Sequence, residues 1–213
     1  MVAKKTTPRT GRRGRKRPSQ VHQFLVVLSE TDPVVWRRIE VPEDYSFWDL
    51  HVAIQDSMGW LDYHLHEFSV VHAPSGSVER IGIPDDEVPH DKLCTPGWEA
   101  KLSEYFTFGA SPALYLYDFG DDWRHVVMHE GTSPSDASVS YPRCISGARR
   151  CPPEDCGGAH GHAELLEVIA DPGHPDYGEV LEWIGGDFDP DAFDPLAVVF
   201  DDPRKRWRQA FGG

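Results

Sequence analysis

The most constraining signal in this 213-residue chain lies between residues 20 and 59, where two strand-like runs lead directly into a helix with both ends marked. Val21-His22-Gln23-Phe24-Leu25-Val26-Val27-Leu28 has strand composition, Thr31-Asp32-Pro33 interrupts it, and Val34 to Val41 alternates as a second strand. The pair predicts a hairpin. Ser46 then stands at an N-cap position with Asp49 three residues on, and Phe47, Leu50, Ile54 and Met58 follow at helical spacing until Gly59 stops the run.

Further strands are expected at Leu65 to His72, Ala113–Phe119 and Trp123–Glu130, the last two flanking the tight connection Gly120-Asp121. Residues 73–98 are broken by Pro and Gly around a short Ile81-Gly82-Ile83 segment, and Lys101 to Phe106 reads as a helical turn. Residues 131–158 read as a long irregular stretch, followed by short amphipathic helices at His162–Ala170 and Asp176–Ile184. Strands do not alternate regularly with crossover helices. The expected class is therefore α+β: a mixed, mainly antiparallel sheet with one amphipathic helix after the first hairpin and C-terminal helices, roll-like in form.

Charge divides the chain. Residues 1–18 hold eight bases, among them Arg12, Arg13, Arg15, Lys16 and Arg17, and no acid. The remaining 13 bases face 35 acids, close to −22. This is the pattern of a basic arm on an acidic body, and it excludes a body that holds nucleic acid by general surface electropositivity. The arm is expected to be disordered, residues 19–200 to form a single domain, and residues 201–213, with Arg204-Lys205-Arg206-Trp207-Arg208, to form a basic C-terminal tail. Apolar runs reach about five residues, far short of the roughly 20 that span a bilayer. With no signal-peptide pattern either, the expected location is the cytoplasm, without membrane association and with the four cysteines reduced.

Three of those cysteines, Cys144, Cys151 and Cys156, fall within thirteen residues in a Pro- and Gly-rich segment. His160 completes C-x6-C-x4-C-x3-H, a donor set suited to structural zinc. The segments between the cysteines lack the aromatics with which zinc fingers of this spacing stack RNA bases, and reduced thiols in a packed loop are the alternative. A second set of chemistry-bearing residues surrounds two strands. His64 and His66, two apart, share one face of an extended chain, and Asp118, Asp121 and His125 cluster at a hairpin end. If those strands are neighbours the five make a His/Asp metal or hydrolytic centre; otherwise the acids cap a turn and the imidazoles bond within the sheet. The chain has no G-x-S-x-G, P-loop, H-E-x-x-H or G-x-G-x-x-G motif. The acidic run from Gly186 to Pro195 opens like a calcium loop but has Ala192 where the turn glycine belongs and Val198 where the bidentate Glu belongs.

Trp36-Arg37-Arg38-Ile39, the run from Phe47 through Met58-Gly59-Trp60, His64-Leu65-His66-Glu67-Phe68, Tyr117-Asp118-Phe119-Gly120-Asp121-Asp122-Trp123, Tyr141-Pro142-Arg143-Cys144, Cys151-Pro152-Pro153-Glu154-Asp155-Cys156-Gly157-Gly158 and Gly186-Asp187-Phe188-Asp189-Pro190 occur in that order. Together they resemble the plasmid pRiA4b ORF-3-like family over about residues 20–195. The resemblance implies an α+β roll-like domain found in plasmids, insertion elements and bacterial or archaeal chromosomes, with some members labelled as insertion-sequence passenger proteins, and no settled activity. It also implies that a fourth ligand for the cysteine loop belongs to a shared motif, which favours His64, His66 or His125 over His160.

The leading expectation is an accessory protein associated with mobile DNA and without established enzymatic activity, its body contacting a protein partner and its arm contacting nucleic acid nonspecifically. The alternatives are a metal-dependent hydrolase or nuclease using the His/Asp set, and a protein- or peptide-binding module drawing on the seven Trp.

Overall fold

Burial alternates along β1 (Gln20–Leu28), with Phe24, Val26 and Leu28 turned into the core. The register shift against β7 between Gln23 and Phe24 leaves its extra residue, Glu130, on β7, so the alternation of β1 holds from His22 to Leu28, and Val21 is buried as well. The computed structural model describes residues 18–72, 75–84, 94–107 and 109–212. The basic arm, including Arg12, Arg13, Arg15, Lys16 and Arg17, lies outside the described residues except for its last position, Pro18.

β1 and β2 (Val35–Pro42) form the expected antiparallel hairpin. They belong to an eight-stranded sheet completed by β3 (His66–Val71), β4 (Val78–Gly82), β5 (Thr95–Pro96), β6 (Ala113–Tyr117), β7 (Trp123–Pro134) and β8 (Arg143–Ala148). The order across the sheet is β5-β4-β3-β6-β7-β1-β2-β8, antiparallel throughout except for the β4–β5 pair. The class is α+β, as expected. Residues 131–158 are more regular than their composition suggests, because β7 runs on to Pro134 and β8 pairs with β2 at the sheet edge.

Helix α1 (Phe47–Met58) has the ends its sequence spells out. Ser46 Oγ accepts from the Asp49 N–H at 3.3 Å, the Asp49 carboxylate accepts from the Ser46 N–H at 2.9 Å, and Gly59 ends the helix at φ 89°. α1 packs against β2 and β4, and Phe47, Leu50 and Ile54 join Phe24, Ile39, Phe68, Tyr115 and Trp123 in one core. Its other sides are covered too, so His51 and Gln55 are buried and need polar partners. Gln55 donates to the Tyr115 hydroxyl, which lies 2.8 Å from His51 Nδ1, and His51 Nε2 lies 2.8 Å from Asp62. A hydroxyl that accepts from Gln55 has its proton free for His51, which leaves the Nε2 proton for Asp62.

A short α2 (Leu102–Tyr105) lies in the β5–β6 connection, and after the last strand come α3 (Gly158–Ala170), α4 (Tyr177–Trp183), a 3-10 turn at Pro195–Ala197 and α5 (Pro203–Phe211). Residues 201–213, expected as a basic tail, thus include a helix that packs on α1. Arg206 anchors it with ion pairs to Asp56 at 2.7 Å and Asp201 at 2.8 Å, and Asp62 lies 3.7 Å away. Among the described residues no helix is long and apolar enough to cross a membrane.

Candidate metal centre

β3 and β6 are neighbours, with His66 opposite Tyr117, so the segment entering β3 lies beside the turn leaving β6. Asp118 N–H donates to the Leu65 carbonyl at 3.0 Å and ties the two together. A third segment, between β8 and α3, reaches the same place. Leu61 N–H donates to Glu154 at 2.7 Å, the Tyr117 hydroxyl lies 3.1 Å from the same carboxylate oxygen, and Gly157 N–H donates to Asp121 Oδ2 at 3.1 Å. Burial raises the Glu154 pKa above the ordinary carboxylate value. Gly158 allows the closest approach: at φ 68°, a Cβ there would overlap the Asp121 carbonyl oxygen.

These three segments bring His64, Asp118 and Asp155 together, with one ligand atom from each lying within 4.8 Å of the others. His64 Nε2 is 3.0 Å from Asp155 Oδ1 and 3.6 Å from Asp118 Oδ2, yet this buried nitrogen has no hydrogen-bond partner. Both distances fall within ion-pair range, the second lies beyond hydrogen-bond reach, and neither contact forms a hydrogen bond. Three potential ligands thus face one another without bonding one another. Asp118 Oδ1 is already used, accepting from Gly120 N–H at 2.9 Å, which fixes the carboxylate and leaves Oδ2 toward His64. Asp118 and Asp155 have φ of 55° and 57°, a left-handed conformation that Asp tolerates better than most residues. Asp155 is 67% exposed, so solvent reaches this side of the cluster.

Of the five residues anticipated for a His/Asp centre, His64 and Asp118 meet here. Asp121 stands alongside, engaged with the N-terminus of α3. His66 and His125 lie in the interior. The His66 ring stacks on His51 with centroids 3.5 Å apart, and burial followed by the neighbouring His51 holds its pKa well below the ordinary value. His125 packs edge-on against Trp60, its Nδ1 is 3.2 Å from the Tyr115 carbonyl, and burial lowers its pKa to about 4. Asp155 was not anticipated, although it sits in the same short motif as Cys151 and Cys156.

The cysteine loop has a different character. Among the described residues, Cys144, Cys151, Cys156 and His160 do not assemble into a group of three or more ligand atoms. Cys144 and Cys151 are buried near Arg37, and burial raises the pKa of all three thiols, that of Cys156 to about 12. The His160 side chain is 87% exposed and lies 3.3 Å from Glu164 one turn along α3. Arg37 donates to the carbonyls of Trp36, Ser57, Ala148 and Arg149 at 2.8–2.9 Å and thereby ties this region to the end of α1.

The fold and site define an α+β domain whose loop-rich end gathers one imidazole and two carboxylates. The chain belongs to the plasmid pRiA4b ORF-3-like protein family, whose model matches residues 20–197. It is 35% identical over 192 residues to the uncharacterized protein y4hQ of Sinorhizobium fredii (strain NBRC 101917 / NGR234), covering 89% of this chain and 95% of that protein. It is also similar to the crystal structure of MM3350, a protein of unknown function from Methanosarcina mazei Go1. That match has a TM-score of 0.80 and 43% identity over 86% of this chain and all of the other.

Proposed function

We propose that this protein is an accessory protein of plasmid or mobile-element type whose domain holds one divalent cation through His64, Asp118 and Asp155. The observation that carries this reading is the buried His64 Nε2, which faces two carboxylate oxygens at 3.0 and 3.6 Å without hydrogen-bonding either. One imidazole nitrogen and two carboxylates suit Zn²⁺ or Mn²⁺ better than Ca²⁺, which favours an all-oxygen shell. The exposed Asp155 side leaves room for water, and this favours the hydrolytic alternative over a purely structural ion. When bound, the cation would supply Lewis acidity and an activated water. The chain's part is to fix Asp118 through Gly120 and to hold the Asp155 segment through Glu154, Tyr117 and Gly157.

In the same reading, residues 1–18 act separately as a nonspecific phosphate-contacting arm, and the cysteine loop is a packed structural element that does not require a zinc ion. Metal content of purified protein separates the two sites. The wild type and a Cys144→Ser/Cys151→Ser variant are expected to retain about one equivalent, and His64→Gln to lose it. Loss in the cysteine variant with retention in His64→Gln would place the metal in the loop and overturn the assignment.

A further inference from the structure

A separate cavity lies where α5 meets the start of α1. Its volume is about 720 Å³, within the range of small-molecule sites, and its walls include Trp48, Trp98, Trp207, Lys101, Arg204 and Arg208. The three indoles come from three parts of the chain: α1, the β5–α2 connection and α5. Phe211 holds them as a set, its ring centroid 5.2 Å from that of Trp98 and 5.5 Å from those of Trp48 and Trp207. The two buried indole nitrogens differ. Trp48 Nε1 donates to the Pro203 carbonyl at 2.9 Å, whereas Trp207 Nε1 has no partner.

Charge at the cavity is arranged by helical spacing. Arg206 is committed to Asp56 and Asp201, whereas Arg204 and Arg208, four apart on α5, line the cavity and make no ion pair among the described residues. Lys101 adds a third cation, its ammonium 3.2 Å from the Asp44 carbonyl. Of the two acids in the wall, Asp49 is engaged in capping α1. An otherwise acidic body therefore carries flat aromatic faces beside a pair of guanidinium groups.

We propose that this cavity binds a nucleoside phosphate, with the base stacked on the indoles and the phosphate held by Arg204 and Arg208. Indole faces accept any base by stacking, and guanidinium groups match phosphate oxygens in geometry and charge. The site shares no residue with the His64 cluster and stands or falls independently of it. The same chemistry is offered by a free mononucleotide and by a nucleotide unit of a single strand.

The test is tryptophan fluorescence of the full chain, titrated separately with adenosine 5′-monophosphate and with a single-stranded oligothymidylate. Saturable quenching by the mononucleotide identifies a free nucleotide as sufficient; quenching by the oligonucleotide alone identifies a strand. In either case Arg204→Ala/Arg208→Ala should weaken half-saturation by roughly tenfold or more. Both arginines are exposed, so this variant is expected to keep its fold and its circular dichroism. Trp98→Ala should weaken the same titration. Absence of saturable quenching by either probe, or equal affinity in the wild type and the arginine variant, would overturn the proposal, the latter result assigning any binding to the arm.

Discussion

Gly158→Ala tests how the Asp155 segment is held in place. Gly158 has φ of 68°, and a Cβ there would overlap the Asp121 carbonyl oxygen. The left-handed conformation costs Ala about 1–2 kcal/mol. Relieving the overlap by moving α3 away from the β6–β7 turn costs about 1–3 kcal/mol. The expected destabilisation is then about 3 kcal/mol, and for a chain of this size Tm should fall by about 6–12 °C. The same movement would stretch the 3.1 Å bond from Gly157 N–H to Asp121 and displace Asp155, so cation affinity should fall together with Tm. Gly178→Ala in α4 is the control. A Cβ at that position meets nothing within 4 Å and its φ is not left-handed, so it should be neutral or stabilise by about 0.4–1 kcal/mol. Thermal melts followed by circular dichroism compare the two. If Gly158→Ala melted with the wild type, the packing argument for the Asp155 segment would be refuted.

Stability should fall in acid. Burial holds His22 and His125 near pKa 4 in the folded state against 6.5 when unfolded, so the unfolded chain takes up protons first and their contribution, complete above pH 6.5, is lost as pH falls toward 4. At 1.36 kcal/mol per unit each contributes about 3 kcal/mol. Asp62, raised by burial to about 6, works the other way between pH 6 and 3.8 and offsets about as much as one histidine, leaving a net loss of about 3 kcal/mol. His51 and His66 act in the same direction as His22 and His125. Urea midpoints at pH 7 and 4.5 measure this, and equal midpoints would contradict it. Arg206→Ala should cost about 3 kcal/mol by leaving the nearly buried carboxylates of Asp56 and Asp62 without their cation, whereas Arg206→Lys should recover only part. A melt of Arg206→Ala within about 0.5 kcal/mol of the wild type would show that α5 is held by other contacts.

Local chemistry made residues 20–59 legible. The capping pair Ser46 and Asp49, the stop at Gly59 and the β1–β2 hairpin all depend on neighbours within a few residues. β8 was hidden because Arg143–Ala148 has no apolar alternation, and its pairing with β2 joins segments about 100 residues apart. The docking of α5 was hidden for a related reason: its composition is that of a solvated helix, and Arg206 finds Asp56 and Asp201 only in the folded chain.

The period of two correctly puts His64 and His66 on one face: residues 66, 68 and 70 are buried, and 62 and 64 are half-buried between exposed neighbours. What covers that face changes within two residues. At His66 the ring lies under His51 of α1, whereas at His64 it reaches a solvent-lined edge. Spacing alone does not distinguish these environments. Asp155 was illegible on its own because its nearness to His64 results from three loops meeting. The motif that contains it drew attention to its cysteines, while the acids between them supply the contacts to Leu61 and His64.

The central claim is that His64, Asp118 and Asp155 together hold one divalent cation. Isothermal titration of chelator-treated full-length protein with Mn²⁺ and with Zn²⁺ tests it most directly, using Asp118→Asn as the comparison. Asn tolerates the left-handed backbone and can still accept from Gly120, so this variant removes a charged ligand with little effect on the turn. The account predicts one site per chain in the wild type, weakened by roughly a hundredfold or more in Asp118→Asn. Absence of binding by the wild type, or equal binding by the variant, would contradict it.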